Sequence, residues 1–276
     1  MKKLGIAIFC MLSLFALTLA GNAAAYNAAY THTLYQADAP PVIDGTYSLN
    51  ADWIASLATN FGTNGIFRDE WTMTPNYACL LIETADATND PGDYWIICYD
   101  STDAGGATEP DGGTAPKAND YKLVVTGHGA TATVQWYKGT GTGWTTVTPS
   151  SALLTQAQSL SATPRIGTPH YVLELYIDKS DTSLGTVPMG YTWAQYVGYF
   201  DAHTGGYGLQ SWPPANATPP GSPNVPDSWG YIPYETGAVP TPDIPESISI
   251  VAMLSVSTVA IAGVALLRKR QRANLN

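Results

Sequence analysis

Four aspartates border one glycine-rich stretch between two predicted strands: Asp100, Asp103, Asp111 and Asp120. Glycine pairs at 105–106 and 112–113 make this stretch pliable. Carboxylate oxygens on a flexible loop suit Ca²⁺, which takes about six to eight oxygen ligands. We therefore expect a calcium site here, although the spacing is not that of an EF-hand and solvated loop carboxylates are the alternative. Asp86, Asp90 and Asp93 form a similar group in the preceding loop.

Aromatic residues give a second signal, because sugar rings stack their apolar faces on such side chains. Two groups of aromatic residues are candidates for a carbohydrate-binding platform. The first group flanks a glycine-rich turn and consists of Trp136, Tyr137 and Trp144; the second lies on or near the loops after the late strands and consists of Trp193, Tyr207 and Trp212. Aromatic residues are also favoured within strands, so each can belong to the core instead. We expect Trp53 and Trp229 in the core.

No catalytic arrangement stands out. The sequence contains no G-x-S-x-G, no H-E-x-x-H and no P-loop. Its four histidines are scattered, without a pair four residues apart for zinc: His32, His128, His170 and His203. We therefore expect a binding or structural protein and no enzyme.

The N-terminus predicts export. Lys2 and Lys3 precede an uncharged run over 4–20, and 23–25 offers an A-x-A cleavage site. Residues 1–25 are therefore expected to be a signal peptide. An uncleaved first helix is the alternative, and either way the central region would be outside the cell.

The C-terminus predicts a membrane anchor. Residues 248–267 contain no charge and no proline, and a helix of this length, at about 1.5 Å per residue, spans a bilayer. The basic tail, 268–276, favours a cytoplasmic C-terminus. A proline-rich stalk, 237–247, precedes the helix. We expect a single-pass membrane protein with its domain at the cell surface.

Charge is partitioned along the chain. All 22 acidic residues fall between 38 and 246, together with only six of the twelve Lys and Arg. Six cations against 22 acids give this region a formal charge of −16. Such a charge argues against nucleic acid and anionic lipid headgroups as partners.

The exported region, 26–236, has the pattern of an all-β protein. Short β-branched and aromatic runs separated by Gly, Asn, Asp and Pro favour a sandwich or barrel. Strands are expected over 31–36, 52–57, 66–73, 77–83, 94–100, 121–126, 131–138, 144–147, 170–178, 195–201 and 229–234. Only 151–160 has a weakly helical pattern. The proline-dense 213–226 should be a long surface loop, because proline is excluded from central strands.

Two covalent modifications are expected in an exported domain. A hairpin that pairs Glu83 with Tyr94 would place Cys79 opposite Cys98, which predicts a disulfide; two buried free thiols are the alternative. Asn216 begins the only N-x-S/T sequon and is a candidate for glycosylation.

Four pieces in order resemble one family. They are PVIDG at 41–45 with Trp53 after it, the strand ending at Asp100 with its loop to 119–121, the run 171–177, and the closing Trp229-Gly230. Together they are similar to family-nine-type carbohydrate-binding modules and their DOMON-related relatives. The resemblance implies a single antiparallel β-sandwich of jelly-roll type, often calcium-bearing. Asp44 is expected to cap local backbone N–H groups.

The same resemblance implies a remote alternative. Some relatives bind haem b through a Met and a Lys, for which Met73, Met189 and Lys122 are the candidates. There is no C-x-x-C-H motif for covalent haem attachment.

The segment before the anchor has a resemblance of its own. The prolines of 239–245 and Glu246, followed by an apolar span and a basic end, are similar to archaeal surface-protein sorting signals of the Pro-Glu-Phe type, with Ser247 in place of Phe. Processing there would replace the helix by a lipid anchor; a retained helix is the simpler expectation.

Two functional hypotheses follow. The first is a membrane-anchored surface protein whose sandwich binds carbohydrate or a cell-envelope glycan, with Ca²⁺ bound. The second is a structural or adhesive envelope protein that binds no soluble ligand.

Overall fold

The strands of this protein form one continuous sheet that folds back on itself. The computed structural model describes residues 25–47, 52–53, 55–63, 65–100, 110–184 and 192–236. Their strands are β1 (Asn27–Thr31), β2 (Leu34–Gln36), β3 (Thr59–Phe61), β4 (Gly65–Trp71), β5 (Tyr77–Glu83), β6 (Tyr94–Asp100), β7 (Asp120–Thr126), β8 (Thr133–Gly139), β9 (Trp144–Val147), β10 (Leu154–Ser161), β11 (His170–Asp178), β12 (Thr192–Asp201), β13 (Gly208–Trp212) and β14 (Gly230–Glu235). The all-β prediction is confirmed for this part of the chain.

The sheet order is β10-β11-β5-β4-β2-β14-β12-β6-β7-β8-β9, with β3 on β4, β13 on β12 and β1 on β14. The strands from β10 to β4 make a first layer, and those from β12 to β9 make a second layer. The expected wholly antiparallel pairing is wrong at the junction, because β1 with β14, β14 with β2, and β2 with β4 pair parallel. Among the described strands, β2 and β14 carry the sheet from one layer to the other.

The main core lies between the layers. Alternate side chains of each strand pack in this core. Examples are Phe67 and Leu173 from the first layer and Trp95, Leu123 and Val197 from the second. All seven residues of β4 are buried, which requires the outer faces to be covered as well as the inner ones.

The PVIDG segment, by which we mean residues 41–47 together with Trp53, covers the outer face of the first layer. Its anchor is Glu174 on β11: Trp53 Nε1–H donates to Oε1 at 2.7 Å, and the backbone N–H groups of Asp44 and Gly45 donate to Oε2 at 3.0 and 2.8 Å. Asp44 accepts from Thr46 N–H at 2.8 Å, so its predicted capping role is confirmed. Trp53 is buried, as expected.

The proline-rich cover, residues 213–229, lies over the outer face of the second layer. Trp229 is fully buried there, as expected, and its Nε1–H donates to Ser222 O at 2.7 Å. Asn27 Nδ2 donates to Pro219 O at 3.4 Å. The segment is a loop as predicted, but it packs on a sheet face and buries Pro213 and Pro226.

Several predicted elements differ from the structure. The stretch 151–160, weakly helical in pattern, contributes to strand β10, which pairs along its whole length with β11; this pairing overrides a weak local propensity. No strand occupies the described residues among 52–57. Their apolar pattern reflects packing of the PVIDG segment on β5 and β11.

The predicted disulfide is wrong. Strand β5 pairs with β4 and β11, whereas β6 pairs with β7 and β12. Because their connection crosses between layers and is no hairpin, Cys79 lies under the PVIDG segment and Cys98 lies under the proline-rich cover. Both are buried free thiols, and burial raises the pKa of each.

The predicted leader and anchor fall outside the described residues, apart from residue 25. This holds for 1–24, the stalk 237–247, the membrane helix 248–267 and the tail 268–276. Within the part that is described, we find no helix whose length and apolar character would let it cross a membrane.

Candidate metal centre and aromatic surface

Three of the four predicted calcium ligands come together. Asp100 ends β6 and Asp120 begins β7, directly opposite each other in the antiparallel pair. The loop between them returns Asp111, so that one carboxylate oxygen of each of the three lies within 4.8 Å of the others. Asp103 lies outside the described residues. Strand pairing therefore brings together residues that are about twenty positions apart in sequence.

Each of the two buried carboxylates in this acidic cluster is only half satisfied. Gly112 N–H donates to Asp100 Oδ2 at 2.7 Å, and Lys117 N–H donates to Asp120 Oδ2 at 2.6 Å. Among the described residues, no N–H or hydroxyl group donates a hydrogen bond to the Oδ1 atoms of Asp100 and Asp120, and both side chains are fully buried. A buried polar atom without a partner is costly, so these oxygens are open to a ligand.

The electrostatics of the cluster favour added positive charge. Burial, followed by the charge of Asp111, raises the pKa of Asp100 to about 7. Burial, followed by the charge of Asp100, raises the pKa of Asp120 to about 9. The ammonium of Lys117 lies 3.2 Å from Asp111 Oδ2. A divalent cation would relieve the repulsion and occupy the open oxygens, so the donor set fits Ca²⁺.

The second acidic group does not share this feature. Asp86 accepts from Thr88 N–H at 2.8 Å and from the Tyr199 hydroxyl, and Asp93 accepts from Ala202 N–H at 2.8 Å. His128 Nε2 lies 3.0 Å from Asp93 Oδ2. Both carboxylates thus have protein partners on each oxygen, which indicates a structural network.

Sequence reasoning missed this buried network, which joins three connections of the sandwich. His128, from the β7–β8 turn, stacks on Tyr171 at 3.6 Å between ring centroids and lies edge-on to Trp95. Burial lowers the pKa of His128, against the opposing effect of Asp93. The scattered histidines gave no signal, because the partners meet only through the layer crossing.

Three of the six predicted platform residues are core residues. Trp136, Trp193 and Trp212 are 5%, 2% and 4% exposed and belong to the main core. Their assignment to a platform is wrong, because their strand positions place these side chains between the layers. Trp193 Nε1–H donates to Gln195 Oε1 at 3.0 Å, and Trp212 packs on Phe67 at 5.1 Å between centroids.

Tyr207 is accessible but stands apart from the first group. It is 50% exposed near the β12–β13 turn. A small cleft beside it is lined by Phe61, Gly65, Thr84, Ala85, Asp86, Tyr199, Tyr207 and Gln210. The structure therefore does not unite the two predicted aromatic groups.

Tyr137 and Trp144 remain as an accessible aromatic pair. Both are partly exposed. The Lys122 ammonium lies 4.5 Å from the Tyr137 ring centroid and 4.6 Å from that of Trp144. In register, Tyr137 is opposite Lys122 on one side and Thr146 on the other. We call Lys122, Tyr137, Trp144 and Thr146 the aromatic surface.

The proline-rich cover fixes the orientation of Trp144. Trp144 Nε1–H donates to Asn224 Oδ1 at 2.9 Å. Its ring lies parallel to that of buried Trp229, with 6.4 Å between centroids. One edge of the indole is thus held in place while the side chain stays accessible.

Among the described residues, no methionine lies beside Lys122 as a second haem ligand. Lys122 belongs to the second layer and contacts aromatic rings. Met73 is 61% exposed in the β4–β5 turn of the first layer, and Met189 lies outside the described residues. Nothing brings Met73 to Lys122.

The sequon lies on the outside of the proline-rich cover. Asn216 is exposed, and Ala217 beside it is buried. Glycosylation at Asn216 stays a prediction.

No family model and no curated protein matches this sequence. Solved structures similar to the chain include a family 9 carbohydrate-binding module from Caldicellulosiruptor kristjanssonii in complex with glucose, at 14% identity and a TM-score of 0.46, covering 75% of this chain and 97% of that chain. The same kind of module from that organism in complex with cellotriose has 15% identity and a TM-score of 0.48, covering 75% and 95%. Such distant likeness transfers no residue roles.

Proposed function

We propose that this protein is a surface-displayed glycan-binding module that uses bound Ca²⁺ to stabilise its binding face. The observation that supports it is the aromatic surface, where two partly exposed rings stand beside an ammonium and a hydroxyl. Aromatic faces stack on the apolar faces of sugars, and Lys122 and Thr146 offer polar groups to sugar oxygens. No catalytic group is required for this role.

Pre-organisation supports the choice of Trp144. Its hydrogen bond to Asn224 and its packing near Trp229 fix the indole before a ligand arrives. A ring that is already ordered loses little conformational entropy on binding, which favours affinity.

Calcium has a defined place in this proposal. Asp100, Asp111 and Asp120 would hold it through carboxylate oxygens. The adjacent Gly113 is joined to Asp227 of the proline-rich cover by two hydrogen bonds. Gly113 N–H donates to Asp227 Oδ1 at 2.7 Å, and Asp227 N–H donates to Gly113 O at 3.0 Å. A calcium ion that orders the β6–β7 loop would therefore also order the proline-rich cover, which holds Trp144.

Display at the cell surface is part of the same proposal. It rests on the sequence of the leader, 1–25, and of the anchor, 248–267. The formal charge of −16 between them suits an extracellular domain that avoids nucleic acid and anionic lipid.

The test is glycan binding by the full-length protein in detergent, first on a glycan array and then by calorimetry. Tyr137→Ala and Trp144→Ala should each weaken binding on the order of tenfold or more, the equivalent of about 1.4 kcal/mol. Tyr207→Ala is the matched control, an exposed tyrosine away from the aromatic surface, and should bind normally. A parent protein that binds no glycan would favour the structural or adhesive role instead.

A further inference from the structure

Lys122 lies over two partly exposed aromatic rings. Within the described residues, its ammonium contacts the Tyr137 and Trp144 rings and makes no ion pair and no hydrogen bond. Burial lowers the pKa of Lys122, which is the direction expected of an amine that lacks a compensating anion. Its positive charge is therefore available to a ligand.

Most other cations in the described part of the chain have polar partners. Lys117 pairs with Asp111 at 3.2 Å, Lys179 donates to the Tyr234 hydroxyl at 3.2 Å, and Arg165 donates to Asn60 Oδ1 at 2.9 Å. Arg68 donates to Ser56 O at 3.1 Å. Lys138 likewise contacts a ring, that of buried Tyr121, at 5.6 Å. What distinguishes Lys122 is that both rings it contacts are partly exposed, so that its ammonium lies beside a surface on which a sugar can stack.

The ring contacts leave the hydrogen-bonding capacity of Lys122 unused. An ammonium carries three N–H donors, and attraction to an aromatic face is electrostatic and takes no acceptor oxygen. A carboxylate or sulfate group on a sugar that stacks on Tyr137 or Trp144 would lie within reach of these donors. Charge-assisted hydrogen bonds of this kind are about twice as strong as neutral ones.

We propose that the aromatic surface selects acidic glycans, polymers whose sugars carry carboxylate or sulfate groups, and that Lys122 is the residue that sets this selectivity. This inference rests on the proposed glycan-binding function. The carboxylates elsewhere in the domain repel an acidic glycan only weakly, because charges separated by more than about 8 Å are largely screened at physiological salt. The Lys122 ammonium itself lies 4.5 and 4.6 Å from the two ring centroids, within contact distance of a sugar that stacks there.

The experiment compares polymers with matched backbones at physiological ionic strength, using the full-length protein in detergent. Polygalacturonate is compared with its fully methyl-esterified form, and dextran sulfate with dextran, so the two arms separate carboxylate from sulfate. We expect the parent to bind at least one acidic polymer about tenfold more tightly than its neutral partner, or about 1.4 kcal/mol. Lys122→Met should remove that preference, so that the acidic polymer and its neutral partner bind with equal affinity.

Two further variants make the result decisive. Lys138→Met is the matched control, because this lysine of the next strand lies over Tyr121 at 5.6 Å and outside the aromatic surface; it should keep the preference. Lys122→Arg retains the charge and should keep it too. If Lys122→Met lowers thermal stability, the Lys122→Arg result decides, and loss of preference in a stable Lys122→Arg protein overturns the inference.

The outcomes separate the inference from the function beneath it. Equal binding of acidic and neutral partners, lost on Tyr137→Ala, overturns the role of Lys122 and leaves glycan binding standing. Absence of binding to every polymer and to the glycan array overturns both.

Discussion

At the scale of single residues, buried carboxylates differ in this protein by how many donors reach them. Glu174 accepts three N–H groups of the PVIDG segment, and Asp86 and Asp93 are satisfied by Thr88, Tyr199 and Ala202. Asp100 and Asp120 each keep an open oxygen. The satisfied acids hold loops in place, whereas Asp100 and Asp120, whose open oxygens lie close to Asp111, are suited to a cation.

Removal of Glu174 should be costly. Glu174→Ala leaves the indole N–H of Trp53 and two backbone N–H groups without an acceptor, so we expect the free energy of unfolding to fall by about 2–4 kcal/mol. Urea unfolding followed by tryptophan fluorescence measures it. Glu235→Ala, at an exposed position, is the control and should change stability by less than about 0.5 kcal/mol. A Glu174→Ala protein as stable as this control would contradict the anchoring role.

At the scale of elements, the strands match the sequence expectations better than their partners do. The bounds of β5, β6, β9 and β11 are those expected from hydrophobic patterning. The pairing of β5 with β6 is wrong, because the connection crosses to the other layer. Local pattern reports which residues are extended, but the choice of partner strand depends on contacts distant in sequence.

The turn of the PVIDG segment requires a glycine at position 45 for a steric reason. Gly45 has φ +81°, and a Cβ there would lie 2.6 Å from the backbone carbon of Gln158 on β10. Gly141 has a similar φ of +87° but open space around it. Gly141→Ala should cost about 1 kcal/mol from backbone strain alone.

Gly45→Ala should be clearly more destabilising than Gly141→Ala, because the PVIDG segment must also move away from β10. Thermal unfolding of the two variants side by side measures the difference. Equal losses of stability would show that the close approach of Gly45 to β10 is unimportant.

At the scale of the whole molecule, acidic residues far outnumber basic ones, and some of the carboxylates lie close enough to repel one another. A region with a formal charge of −16 gains solubility at a cost in self-repulsion. In the β6–β7 acidic cluster, this repulsion acts on two buried carboxylates, those of Asp100 and Asp120. The stability of the folded protein should therefore depend on both pH and calcium.

The sign of the pH dependence follows from the raised pKa values. Asp100 and Asp120 bind protons in the folded state at pH values where the unfolded chain, with Asp pKa values of about 4, has released them. Stability from these groups is thus fully present below about pH 4 and is lost as pH rises, through about 7 for Asp100 and about 9 for Asp120.

Chelated protein should accordingly lose stability between about pH 4 and about pH 9, by up to about 1.4 kcal/mol per pH unit for each group that is protonated only when folded. Added Ca²⁺ should reverse the loss at neutral and alkaline pH, and Asp120→Asn should weaken that response. Thermal unfolding with chelator or with Ca²⁺ across this range is the measurement. Identical curves with and without Ca²⁺ would remove calcium from the proposal.

The sequence by itself determined the all-β class, most strand positions, the burial of Trp53 and Trp229 and the grouping of Asp100, Asp111 and Asp120. These depend on local alternation and on residues brought together by neighbouring paired strands. Only the tertiary structure decided that Trp136, Trp193 and Trp212 face the core, that Cys79 and Cys98 lie under different covers, and that Lys122 stands between Tyr137 and Trp144. The physical reason is that a strand has two faces, and which one is buried depends on the layer that packs against it.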